Sequence, residues 1–61
     1  MDGIKEMEGR KIYLETSSNR KYSGIIANVD LDLSFIKLID KFGETIWINF
    51  SEIKVLQEEK Q

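Results

Sequence analysis

Gly24 stands inside a run of β-favouring residues, Lys21 to Val29, with no other glycine and no proline. A lone glycine in a strand marks a bulge, a sharp bend or a close backbone approach. Strongly bent strands are what a very small barrel needs in order to close. Asp30 follows six residues later, and a second apolar run, Phe35 to Ile39, comes after a polar break. The stretch from Tyr22 to Asp40 is therefore the frame for the rest of the chain.

With 61 residues the chain is one small domain. A domain of that size buries only about 60% of the surface it exposes when unfolded. It has no Cys for disulfides and no His, so the usual staples of a mini-domain are absent. A closed single-layer barrel or self-association is the expected remedy. Zero Cys fits a reducing compartment, and the expected location is the cytoplasm. Met1 to Gly9 has no apolar core and carries Asp2, Glu6 and Glu8, so it does not read as a signal peptide. No window approaches the roughly 18 apolar residues of a membrane span. Nine basic residues against eleven acidic ones give a net charge of −2. That balance argues against a broad electrostatic face that coats nucleic acid, but leaves room for local contacts in a pore or cleft.

Residues 2–8 read as a short helix. Asp2 can cap it, Ile4 and Met7 share a face, and Gly9 can end it in a left-handed turn. From Arg10 the period changes to two, with Ile12 and Leu14 on one face and Tyr13 and Glu15 on the other. Thr16 to Arg20 is polar turn chemistry. The second strand, Lys21 to Val29, bends at Gly24; Tyr22 and Ile26 share one face, and Ile25, Ala27 and Val29 the other. Asp30 and Asp32 suit a turn, where each can accept backbone N–H bonds. Strand three is Phe35 to Ile39 with Lys37 outward. Asp40 to Glu44 is a hairpin loop in which Gly43 supplies the positive φ. Strand four, Thr45 to Phe50, sets Ile46, Ile48 and Phe50 against Thr45, Trp47 and Asn49. Ser51 and Glu52 make a tight turn into a brief strand five, Ile53 to Leu56, and residues 57–61 read as a polar tail. The expected class is all-β: a small, five-stranded, strongly bent barrel over residues 10–56, with a short N-terminal helix.

The residue inventory speaks against an enzyme. Without His and Cys, the commonest general base and the thiol nucleophile are missing. Asp30 and Asp32 lie two apart in a loop with no obvious further ligands, so no metal site and no cofactor are expected. Phe42-Gly43 is an ordinary hairpin rather than a phosphate loop. A binding or assembly module remains. Tyr13, Trp47 and Phe42 fall on the less apolar faces or at a loop tip. There they can stack bases, fill a protein interface or cover the barrel's own open ends.

The ordered set of residues resembles the Sm/LSm family, which includes the bacterial Hfq proteins. Its first motif has a strand-two Gly, an Asp six residues later, a turn and a hydrophobic third strand. Here these are Gly24, Asp30 and Phe35-Ile36-Lys37-Leu38. Its second motif, Ile-Arg-Gly-x-x-Val-x-x-Ile, corresponds to Ile48-Asn49-Phe50-Ser51-Glu52-Ile53-Lys54-Val55-Leu56. Gly9-Arg10-Lys11-Ile12 is similar to the family's helix-to-strand entry. The match spans roughly residues 4 to 56.

The resemblance implies a short helix, five bent antiparallel strands, a ring and single-stranded RNA bound near its pore. In members that bind uridine-rich RNA, a base is sandwiched between a loop-three side chain and the second-motif Arg, and a loop-three Asn reads its edge. Those positions hold Asp32, Asn49 and Ser34 here. The planar cationic stacking partner is replaced, while Ser34 and Asn49 keep hydrogen-bonding capacity. Phe35 is the alternative stacking group. Ring assembly also has a physical reason, because edge strands four and five offer unpaired N–H and C=O groups. Strand four carries no proline or Lys to blunt its edge. The implied subunit contacts involve Thr45, Trp47, Ile53 and Val55, closing a cyclic homo-oligomer. Two functions follow: an Sm-like RNA-binding ring using Asp32, Ser34, Phe35 and Asn49, or a non-catalytic protein-interaction or scaffold module on an SH3-like or Sm-like barrel, with Trp47 and Phe42 at its interface and no nucleic acid.

Overall fold

The computed structural model describes residues 2–59, and its backbone follows the alternating pattern closely. A 3₁₀ helix, η1 (Asp2–Met7), leads into β1 (Lys11–Thr16), β2 (Lys21–Asp30), β3 (Phe35–Asp40) and β4 (Thr45–Asn49). A second 3₁₀ turn, η2 (Phe50–Glu52), links β4 to β5 (Ile53–Glu58). All five strands lie in one antiparallel sheet, ordered β4-β3-β2-β1-β5. The class is the expected all-β, small, barrel-like one. Consecutive strands are neighbours except that β5 returns beside β1, so β4 and β5 form the two edges.

β2 pairs with its two neighbours along different stretches. Lys21 to Ile25 pair with β1, and Gly24 to Asp30 pair with β3. Gly24 is opposite Ile12 on one side and Asp40 on the other. A Cβ at Gly24 would lie 2.8 Å from Asp40 Cα and 2.9 Å from the Ile39 carbonyl carbon, and closer still to the carbonyl oxygen. The glycine therefore marks a close backbone approach, where β3 crosses it. The bulge is three residues further on. Ile26 faces Leu38 and Asn28 faces Lys37, leaving Ala27 as the extra residue. An extra residue inverts the in–out alternation. Val29 is therefore buried with Ile26, where simple alternation places it with the exposed Ile25 and Ala27. A like shift in β5, between Glu15↔Val55 and Thr16↔Ile53, turns both Ile53 and Leu56 onto the core.

The core is aliphatic: Ile12, Leu14, Ile26, Ile36, Leu38 and Ile48 are buried. Ile4 plugs it from η1. The helix is 3₁₀ and ends at Met7. Its two apolar residues are three apart, and a three-residue turn brings them to one side. Gly9 then takes φ +83°, as its place after the helix suggested. The expected cap would rest on the Asp2 side chain, which is not among those described. Beyond Ile25 the edge of β2 is no longer covered by β1, and the η1 corner covers it. Glu8 Oε2 accepts from the Val29 amide at 2.7 Å, while Lys5 Nζ donates to the Val29 carbonyl at 2.9 Å and to Glu8 at 3.0 Å. Gly9 N donates to Ile26 O, and Ile26 N to Arg10 O.

At the far end η2 ties two loops together. The Phe50 amide donates to the Ser34 carbonyl at 2.9 Å, and the Ser17 amide donates to the Glu52 carbonyl at 2.8 Å. Phe50 belongs to this turn rather than to β4. Strand β5 runs two residues past Leu56, so Gln57 and Glu58 are strand rather than tail. Residues 60 and 61 lie outside the described residues. The hairpin at Asp40 to Glu44 forms as expected, with Gly43 at φ +84°.

Candidate nucleic-acid interface

Three of the four candidate RNA-contacting residues come together where β3 begins and β4 ends. Phe35 opens β3 directly opposite Asn49. Ser34, held at φ 61°, precedes it and is anchored through its carbonyl to η2. Asn49 caps η2, its Oδ1 accepting from the Ser51 amide at 2.9 Å and the Ser51 hydroxyl at 2.7 Å. Its amide nitrogen has no protein partner among the described residues. Asn49 thus has an engaged acceptor and two available donors, which suit a base carbonyl. Ser34, Phe35 and Asn49 are each partly exposed. The cluster combines hydroxyl, aromatic ring and amide, with no charge of its own.

Asp32 stands elsewhere. It is exposed in the turn and lines a depression of about 360 Å³ with Lys5, Asn28 and Asp30. Of the turn acids, Asp30 accepts from the Leu33 amide at 2.9 Å. No bond to the Asp32 carboxylate is seen among the described residues. Nor does any group of three His, Cys, Asp or Glu converge there among the described residues.

The residues expected at subunit contacts lie on the two edge strands. Thr45 and Trp47 are exposed on β4, and Trp47 is 58% exposed, so it is no part of this chain's own core. Ile53 and Val55 on β5 are half-buried, and Ile53 packs inward. Lys37 lies across the strand pair from Trp47, its Nζ 5.5 Å from the ring centroid.

One concavity was not singled out by sequence reasoning. Arg20, Tyr22, Trp47 and Glu52 line a groove of about 460 Å³ between the β1–β2 turn and β4. Its residues are scattered along the chain, and nothing local marks them as neighbours. Ion pairs take up Lys5 with Glu8, Arg10 with Glu58 at 2.9 Å, and Lys11 with Glu59 at 3.8 Å. Among the described residues the Arg20 guanidinium has no such partner. Two groups among the described residues are shifted. The Val29 amide, then Lys5, hold the Glu8 carboxyl below its ordinary value, while the Glu15 carboxylate 2.6 Å from its hydroxyl pushes Tyr13 up.

The fold has solved counterparts. A chain in a solved structure on activation of the Dcp1:Dcp2 mRNA decapping complex by Edc3 and Scd6 superposes with a TM-score of 0.80 at 23% identity. The alignment covers 92% of this chain and 58% of that one, so the chain spans little more than half of its length. A putative lipoprotein from Pseudomonas syringae gives 0.65 at 12% identity, covering 82% of this chain and 93% of that one. A structural-genomics crystal structure at 1.9 Å gives 0.66 at 22% identity, covering 82% and 98%. No family model and no curated protein matches the chain. At these identities the likeness is one of fold.

Proposed function

We propose that the chain is a non-catalytic, cytoplasmic Sm-like module that assembles head to tail through β4 and β5 into a ring and binds single-stranded RNA. The observation that carries this reading is the register of Phe35 against Asn49, with Ser34 fastened beside them by η2. Phe35 supplies the stacking surface, and the Asn49 amide and Ser34 hydroxyl read a base edge. Asp32, which lines the separate depression with Lys5 and Asp30, is left out of the proposed base contact. With a net charge of −2 the affinity rests on stacking and base contacts more than on counterion release. The two free sheet edges support assembly, since each offers a row of unpaired backbone groups. A fold neighbour in a solved structure on an mRNA decapping complex is consistent with RNA-related work.

Titration with labelled oligo-U and oligo-A at two salt concentrations tests the RNA reading. Phe35→Leu keeps an apolar residue and removes the ring. It is expected to weaken oligo-U binding by about tenfold, since a stacked base contributes about 1–3 kcal/mol. Absence of saturable binding at low salt rejects the proposal.

The exposure of Trp47 and of Phe42, which is 80% exposed at its hairpin tip, favours a second reading. In it the chain is a protein-interaction module without nucleic acid. A partner retained after nuclease treatment and lost on Trp47→Ala, with the fold intact, distinguishes it.

A further inference from the structure

We propose that the outer face of the sheet at Ile25 and Ile39 is a docking site for a peptide segment carrying one apolar anchor residue flanked by carboxylates. Strand register aligns Lys11, Ile25, Ile39 and Thr45 in one row across β1, β2, β3 and β4. Ile25 and Ile39 are directly opposite one another yet 49% and 37% exposed. Beside them Gly24 has no side chain, because β3 passes too close for one. The result is a shallow pit of about 410 Å³ lined by Gly24, Ile25, Ile39, Asp40, Lys11 and Lys41. Its floor is aliphatic and non-polar, which suits the end of a Leu, Ile, Met or Phe side chain.

The rim sets the charge of the partner. Lys11 and Lys41 flank the pit. The Asp40 carboxylate is turned into its own hairpin, where Oδ1 accepts from the Phe42 and Glu44 amides at 2.9 Å each. The chain also shows what this rim accepts. Glu59 approaches Lys11 Nζ at 3.8 Å and takes a hydrogen bond from the Ser23 hydroxyl at 3.1 Å. A carboxylate therefore already sits beside Lys11, outside the lining of the pit and at a distance too long for a tight pair, and an acidic partner can compete for the same ammonium. Nucleic acid fits less well. Nucleobases favour open aromatic faces, whereas this floor is aliphatic. Of the nearby rings, Trp47 has Lys37 over it and Phe42 has Lys41, each at 5.5 Å.

The site is independent of the RNA reading. It shares with the second reading only the premise of a protein partner, and variants at Trp47 and Ile39 separate the two. The test is selection from a library of random peptides about a dozen residues long, followed by fluorescence anisotropy of the enriched sequences. Enriched peptides are expected to carry an apolar residue between Asp or Glu. They are expected to weaken at least about tenfold on Ile39→Glu, to weaken likewise on Lys41→Glu, and to bind Trp47→Ala unchanged. Lys41 is exposed, so its reversal keeps the test informative if Ile39→Glu does not fold. No enrichment, enriched peptides without acids, or binding indifferent to Lys41→Glu overturns the proposal. So does oligo-U bound in a manner sensitive to Lys41→Glu, which makes the face a nucleic-acid surface. A drop in oligomer mass on Lys41→Glu overturns it too, since a second copy then occupies the pit.

Discussion

Gly24 is where one hydrogen atom in place of a side chain matters most. Its neighbours across the strand are backbone atoms of Ile39 and Asp40, which cannot swing aside as a flexible side chain would. Gly24→Ala is expected to destabilise the domain by about 3 kcal/mol or prevent folding, measured by urea unfolding against the parent chain. Glu8 makes a second prediction at this scale. Its carboxylate bonds the Val29 amide and Lys5, and its folded value lies below the ordinary 4.5. A carboxyl lowered by folding adds stability above its unfolded value and loses it as pH falls through the folded one. Acid titration of stability is therefore expected to fall more steeply for the parent chain than for Glu8→Gln below pH 4.5. Equal slopes would remove Glu8 from the account. Legibility differs between these residues. Gly24 could be read from the sequence as a place of backbone constraint, but Glu8 could not be read as a clamp, because its partner Val29 is remote in sequence.

Among the elements, η2 joins the two sides of the barrel and is built on one side chain. Asn49 Oδ1 satisfies the Ser51 amide, a free donor at the start of the turn. Asn49→Ala is expected to lower stability by about 1 kcal/mol through the lost cap. Any RNA affinity lost by that variant must be compared with Phe35→Leu, which leaves the cap intact. A tight turn at Ser51 and Glu52 was legible from the residues, as was the hairpin at Gly43. The bulges were not. Val29 lies among residues whose alternation places it outward, and only the pairing of Asn28 with Lys37 shows that Ala27 is skipped. No residue type marks that skip, since Ala is ordinary in a strand.

The whole molecule leaves two strand edges, β4 and β5, at opposite ends of one sheet order. Native mass spectrometry is expected to show a closed multiple of the 7.1 kDa chain. Thr45→Lys places a charge on the β4 edge and is expected to shift that mass to monomer without changing the circular dichroism of the fold. A concentration-independent monomer in the parent chain would sink the ring.

Period-two alternation, the turn residues and the lone Gly24 by themselves determined an all-β barrel with a short helix at its start. These signals are local: each depends on neighbours a few residues away, and the chain carries them in its order. Tertiary structure alone decided which apolar residues face inward past the bulges, since one skipped residue reverses every later side chain. It set Phe35 opposite Asn49 with Ser34 tied to η2, and it put Asp32 in a separate depression with Lys5. It also left Ile25 and Ile39 uncovered on the outer face. Neighbourhood across strands is set by register, and register is a property of the folded sheet.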